Sequence, residues 1–470
     1  VTESDVESEI DDFDLVIVGA GSGNSIIGPE MDRWRIALVE RSLFGGTCLN
    51  RGCIPSKMLI YAADVALSAS TEHAARYGVH TEFHGADWPA IVHRVFGRID
   101  PIAEGGREYR LSLPNVTVFE GDARFTGQRT LQVDGHTIRG RQVVIAAGAR
   151  SFVPGIPGLD HVPFETSDTI LRIHHRPEHL VVIGGGFIAA ELGHVFRSLG
   201  SKVTIVNRSR HLLSAEDHDI SEQFTRLAAH RFELLLGAKV DGVWMTADGI
   251  GLRVHNADGE HVVEGDTLLV AAGRMANGDE LHAAATGAVV DGRGNVQVDE
   301  YGRTACPGVW ALGDINGRHQ LKHMANGEAK VVRHNLSHPD QLRRLDDRPA
   351  PHAVFTSPQI GAIGLTEAAA RQRFGDDVVT ITQPYGAAAY GWALEDTEGF
   401  CKLVARRSTG SLLGAHIIGH QASMLVQLLV QGMHLGNTVE EMATGQVWIH
   451  PALSEVVEQA LLALIGALHG

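Results

Sequence analysis

The stretch DLVIVGAGSGNSI, residues 14–26, decides the fold. Leu15 to Val18 is a short, fully apolar run that reads as a buried strand, and it leads directly into Gly19-Ala-Gly21-Ser-Gly23-Asn24. A strand, a glycine turn and a helix in succession open a dinucleotide-binding unit. Gly19 permits the tight turn, and Gly21 lets a pyrophosphate approach the helix N-terminus. Asn24 stands where the third glycine of the pattern belongs. Glycine spacing alone is a weak signal. Its support comes from the next strand, RIALVE, which ends in Glu40 and puts a carboxylate where a ribose hydroxyl pair would lie. A solvated strand end is the plainer reading of Glu40.

Just beyond lies GGTCLNRGCIPSK, Gly45 to Lys57, with Cys48 and Cys53 separated by four residues. Two cysteines this close can close a small loop as a disulfide, or they can be two inert core thiols. A zinc site would want a second Cys or His pair, and none lies nearby. Cys53 begins a predicted helix that runs to about Ser70, and Lys57 falls on the same helical face.

The chain has 470 residues, 44% of them hydrophobic, which suits about three domains with sizeable cores. Its 54 glycines fit many tight strand-to-helix turns. A formal net charge of −16 argues against a nucleic-acid surface. Four cysteines are too few for a secreted disulfide framework, and a lone redox pair fits a reducing cytosol. The acidic lead VTESDVESEIDD has no signal-peptide character, and no apolar run is long enough to span a membrane.

A second dinucleotide motif follows a boundary near residue 150. HLVVIGGGFIAAELG, 179–193, reads as strand, Gly184-x-Gly186-x-x-Ala189, helix. Its partner strand KVTIVNRSR ends without an acid, in Asn207, Arg208 and Arg210. An arginine there can meet a 2′-phosphate, so the pattern favours NADPH over NADH; an ordinary basic loop is the alternative. DTLLVAAGRMAN closes on Gly273, and GVWALGDING sets Asp314 at the carboxyl edge of a sheet. LKHMANGEAKVVRHNL, 321–336, is helical. The polar segment 338–351 reads as a linker before a third domain of strands and helices. That domain ends in WIHPALSEVVEQALLAL, where His450 precedes Pro451 and Glu455 falls in the first turn of a helix.

Together these motifs resemble the flavoprotein disulfide reductases, over essentially the whole chain after about Phe13, with GGTCLNRGCIPSK the most specific element. The resemblance implies an α/β fold of two Rossmann-like dinucleotide-binding domains, for FAD and NADPH, the second inserted in the first. A C-terminal α+β dimerisation domain completes it. The implied bounds are 1–150 and 278–349 for the FAD domain, 151–277 for the NADPH domain and 350–470 for the interface domain. It implies a Cys48–Cys53 disulfide, with Cys53 next to the flavin and Cys48 the attacking thiolate. His450 of the other subunit would act as its base and acid, held by Glu455, so a homodimer would share its active sites. Lys57 and Glu191 would pair beside flavin N5.

By the same resemblance Gly19, Gly21, Ser22, Gly23, Glu40, Gly46, Thr47, Lys57, Ala147, Gly148, Asp314, Met324 and Ala325 would contact FAD. Gly184, Gly186, Ile188, Ala189, Asn207, Arg208 and Gly273 would contact NADPH. No metal is implied. The substrate would be a low-molecular-weight disulfide. GSGNSI, AYGWALEDTEGF at 389–400 and WIHPALSEVVE resemble one branch of the family, and Asn24 then counts as a likeness. Branches with extra C-terminal cysteines fit less well, since LLALIGALHG has none. Cys306 and Cys401 read as structural thiols. Two other functions are open: an NAD-linked member acting on dihydrolipoamide, which differs in coenzyme preference, and a flavin-binding redox sensor, which would need none of Cys48, Cys53, His450 and Glu455.

Overall fold

The computed structural model describes residues 10–469; residues 1–9, most of the acidic lead, and Gly470 lie outside them. The chain forms two compact units. One holds residues up to Pro55, Val92–Phe152 and Gly273–Asp347; the other holds Ser56–Ile91, Val153–Ala272 and the chain from Arg348.

In the first unit the apolar runs become parallel strands buried on both faces. Val116–Glu120, Ile36–Glu40, Ile10–Val18 and His136–Ile145 pair in that order. The first half of His136–Ile145 also pairs with the antiparallel strand Thr130–Val133, and its last three residues pair with Val309–Ala311. Asp134 and Gly135, both at positive φ, form the two-residue hairpin turn. The register is the functional point. Val18 lies beside Val39 and Ile145, and Ile145 lies beside Ala311. Glu40 ends its strand, and Gly19, Ala147, Gly148 and Asp314 follow theirs, all at one carboxyl edge, where open α/β sheets bind ligands.

The expected helix after the first glycine turn does not form. Ser22–Ser25 is a single 3₁₀ turn, followed only by Pro29–Met31 before the strand resumes at Ile36. Pro29 excludes its neighbour from helical geometry, and Gly28 is extended, with φ −140° and ψ 171°. The packing role of the third glycine moves to Gly23. A Cβ there would lie 2.9 Å from Ile17 Cγ2 and 3.0 Å from the Ala146 Cβ.

In the second unit Glu233–Leu236, Lys202–Asn207, His179–Ile183 and Thr267–Val270 form a parallel sheet. Here the glycine turn does open into a helix, Phe187–Ser198, with Gly186 at its N-cap and Ala189 fully buried. The C-terminal region is a five-stranded antiparallel sheet in the order His352–Val354, Gln359–Gly364, Ser411–Gly419, Phe400–Arg406, Val378–Pro384. Helices Ala422–Leu435 and Ser454–His469 pack on it through Val426, Leu429, Val457, Leu461 and Leu464. Among the described residues no helix is long and apolar enough to cross a membrane.

A buried ion cluster lies in this unit. Lys402 Nζ contacts Asp217 at 2.8 Å, and Asp219 and Glu367 at 2.7 Å each. The ammonium and the Glu367 N–H hold the Asp217 carboxyl below its usual range against the opposing effect of burial. That stabilisation is present above the ordinary carboxylate pKa and fades as pH falls through the lowered one, below about pH 4. Lys402→Met strands Asp217 without a counter-charge. It should cost about 3–5 kcal/mol in urea unfolding at neutral pH, and the deficit should shrink on acidification.

Candidate active site

The glycine turn and the cysteine segment meet directly. The Gly45 N–H donates to the Ala20 carbonyl at 3.0 Å. A Cβ on Gly46, which has φ +63°, would come 2.7 Å from the Gly21 Cα. A side chain at Gly46 would block this approach. Helix Gly46–Asn50 then carries Thr47 and a partly buried Cys48; Asn50, buried at its end, donates its amide to the Phe44 and Gly46 carbonyls at 2.9 and 3.1 Å. Cys53 is exposed and begins helix Cys53–Ser68. Arg51 donates to the Ser42 hydroxyl, so it is engaged by a neutral neighbour in its own segment.

Glu40 is buried at its strand end. One carboxylate oxygen accepts from the Ala20 N–H at 2.7 Å and the other from the Ser42 N–H at 2.9 Å. Beyond the next strand, Asn277 fixes the loop by donating to the Ala147 carbonyl at 2.8 Å and, through its backbone, to that of Gly148 at 3.1 Å. Asp314 follows Val309–Ala311, and burial pushes its carboxyl above the usual range despite Arg274 and Lys322 nearby. Buried Glu328 accepts from the Gly313 N–H at 2.7 Å and the Asn316 amide at 2.9 Å, holding the Gly313–Asp314 turn. Met324 and Ala325 lie in the first turn of helix Lys322–Ser337.

Lys57 and Glu191 come together, with Nζ 2.7 and 3.0 Å from the two carboxylate oxygens. Glu191 is buried and also accepts from the Phe355 N–H at 2.9 Å, and the Phe355 ring lies 4.6 Å from the ammonium. His450 Nδ1 is 2.8 Å from Glu455, whose second oxygen accepts from the Ala452 N–H at 3.1 Å. These two donors lower the Glu455 carboxyl's pKa, the histidine first. His450 itself is exposed and Glu455 is mostly shielded.

At the second glycine turn, Gly184 has φ +125°, and a Cβ would strike the Ala271 carbonyl oxygen at 2.3 Å. Ile188 is partly buried behind it. The Asn207 amide is turned inward and donates to the Ser209 and His211 carbonyls at 3.2 and 3.0 Å. It shapes the loop that presents Arg208 and Arg210, both exposed. Gly273, at φ +126°, has open space around its Cα. Cys306 and Cys401 are buried, and burial pushes the Cys401 thiol up to about 12.

Two cations at the first turn escaped the sequence reading. Arg110, on helix Trp88–Ser112, donates to the Asn24 side-chain oxygen at 3.0 Å and its carbonyl at 2.7 Å. Lys322 Nζ lies 3.0 Å from the Ser22 hydroxyl, across 300 residues of sequence. No local signal marks either contact. Among the described residues no cluster of His, Cys, Asp and Glu is placed to hold a metal ion.

Comparison with known proteins agrees with this arrangement. A family model described as pyridine nucleotide-disulphide oxidoreductase matches residues 13–329, and that family's dimerisation domain matches residues 350–461. The chain belongs to this family, the flavoprotein disulfide reductases. It is 47% identical to the mycothione reductase of Mycobacterium tuberculosis over 462 residues, 96% of this chain and 99% of that one. It is 34% identical to the dihydrolipoyl dehydrogenase of Halobacterium salinarum over 469 residues, 97% of each. The HOCl-induced flavoprotein disulfide reductase RclA from Escherichia coli superposes with a TM-score of 0.83 at 28% identity, over 95% of this chain and 99% of that one.

The first carboxyl edge fits the family's FAD. Gly19, with φ +108°, and the Gly21–Gly46 approach leave bare backbone where a diphosphate needs it, while Glu40 ends one strand and Asp314 lies just past another. Glu40→Ala removes the acceptor of two backbone N–H groups at this edge. It should lower the stability of the FAD-free protein by about 1–3 kcal/mol, and FAD retention further, read as separate melts with and without FAD.

Proposed function

We propose that this chain is an NADPH-dependent reductase of mycothione, working as a homodimer in a reducing cytosol, with the four-segment division given above. The observation that carries the substrate is the 47% identity to a mycothione reductase over 99% of its length, against 34% to a dihydrolipoyl dehydrogenase. NADPH is supported by the exposed Arg208 and Arg210 and by the lack of a carboxylate at the end of Lys202–Asn207.

Bound FAD would supply the two-electron relay between the nicotinamide and the cysteines. Gly184 and Gly186 would admit the NADPH diphosphate to the N-terminus of Phe187–Ser198, whose buried Ala189 permits close packing. Lys57 would hold a positive charge where the reduced ring becomes anionic, and Glu191 would fix it there. In the reduced pair the Cys48 thiolate attacks one sulfur of the substrate disulfide. The substrate S–S bond breaks, a mixed disulfide with Cys48 forms, and one thiolate leaves. His450 of the partner subunit takes the Cys48 proton beforehand and returns it to that leaving thiolate. Glu455 holds the imidazole by its other nitrogen and stabilises the imidazolium. Cys53 then attacks Cys48, the Cys48–Cys53 bond closes and the second thiol departs. NADPH and one proton restore the dithiol.

The deciding experiment is a steady-state comparison of NADPH and NADH against mycothione, glutathione disulfide and lipoamide. NADPH with mycothione should have the highest kcat/KM; NADH with lipoamide in first place would overturn the reading. Cys48→Ser should abolish disulfide turnover while FAD stays bound, and full residual turnover would remove Cys48 as nucleophile. Arg208→Ser should raise the KM for NADPH roughly tenfold and leave that for NADH nearly unchanged. Equal changes would end the 2′-phosphate assignment.

A further inference from the structure

A dinucleotide turn ordinarily opens into a helix whose N-terminus offers about half a positive charge and several unpaired N–H groups to a pyrophosphate. The second glycine turn of this chain keeps that device, with the twelve-residue helix Phe187–Ser198 behind it. The first turn does not, because Ser22–Ser25 is one 3₁₀ turn and Gly28-Pro29 ends any continuation. So few aligned peptides sum to little charge.

The structure puts two cations at that place. Lys322, the first residue of helix Lys322–Ser337, reaches the hydroxyl of Ser22, which stands between Gly21 and Gly23. It is partly buried, and among the described residues no carboxylate comes within ion-pair distance of its ammonium. The nearby acid that feels it is Asp314. Arg110 closes the other side. It holds Asn24 at both oxygens while the Asn24 amide donates to the Ala20 carbonyl at 2.9 Å, and among the described residues no carboxylate comes within ion-pair distance of it either. Two cations with no close carboxylate among the described residues, on a bare glycine turn, ask for an anion.

We propose that Lys322 is a ligand of the FAD pyrophosphate and replaces the missing helix charge at the Gly19–Asn24 turn, with Arg110 as a positioning residue that shapes the turn through Asn24. This rests on the family's FAD occupying the first carboxyl edge. A charge-assisted contact of this kind corresponds to about a tenfold to hundredfold change in affinity.

The test strips FAD from wild type, K322M and K322R and titrates it back, following quenching of flavin fluorescence. ³¹P spectra of bound FAD and melts of the FAD-free proteins are taken in parallel. K322M should bind FAD at least about tenfold more weakly, with shifted ³¹P resonances and an unchanged FAD-free melt, while K322R should stay within about threefold of wild type. Equal FAD affinity in K322M and wild type, or unmoved ³¹P resonances, would overturn the Lys322 assignment. So would a loss of affinity matched by a lower FAD-free melt. Wild-type protein that takes up no FAD would instead overturn the cofactor reading beneath it.

Discussion

Gly21 and Gly46 touch backbone to backbone, and the cofactor edge is built around that contact. The cysteine segment is not a strand of the sheet. It is secured to the sheet by the Gly45 N–H on the Ala20 carbonyl and by the close approach of the two glycines. A methyl group at Gly46 would push against the Gly21 Cα at 2.7 Å. One constraint thus serves two purposes. It leaves bare backbone for a diphosphate, and it fixes where helix Gly46–Asn50 presents Cys48.

Charge is distributed by position. With a formal net charge of −16 the chain as a whole repels polyanions, yet a member of this family must hold two dinucleotides. The sequence answers locally. Carboxylates stand along one edge, Glu40 at the end of its strand and Asp314 just past Val309–Ala311. Cations gather at the glycine turns: Lys322 and Arg110 on the first, Arg208 and Arg210 in the loop after Lys202–Asn207. The two turns differ in make-up: a helix follows one, and side chains from distant segments close on the other.

How much of this was legible follows from sequence distance. The two glycine turns, Glu40 at its strand end, Asp314 and the His450–Glu455 pair are all local, and period, turn chemistry or spacing points to them. The missing first helix was also written locally: Gly28-Pro29 is a stop signal that the strength of the glycine fingerprint overrode. Lys57 and Glu191 lie 134 residues apart, and only family resemblance paired them before the structure did. Arg110 on Asn24, Lys322 on Ser22 and Lys402 among three carboxylates join segments with no shared pattern. Their partners are chosen by the folded chain, and a lone basic residue in sequence reads as surface.

The burial of Cys306 and Cys401 has a practical meaning for a protein that trades in sulfur. At a pKa of about 12 Cys401 is almost never ionised at physiological pH, and the surrounding core denies access to reagents besides. An electrophile or a peroxide meeting the reduced protein therefore finds its target at the Cys48–Cys53 segment, where Cys53 opens to solvent. Damage and labelling are steered to that one exposed segment, and the scaffold's buried thiols are spared as bystanders.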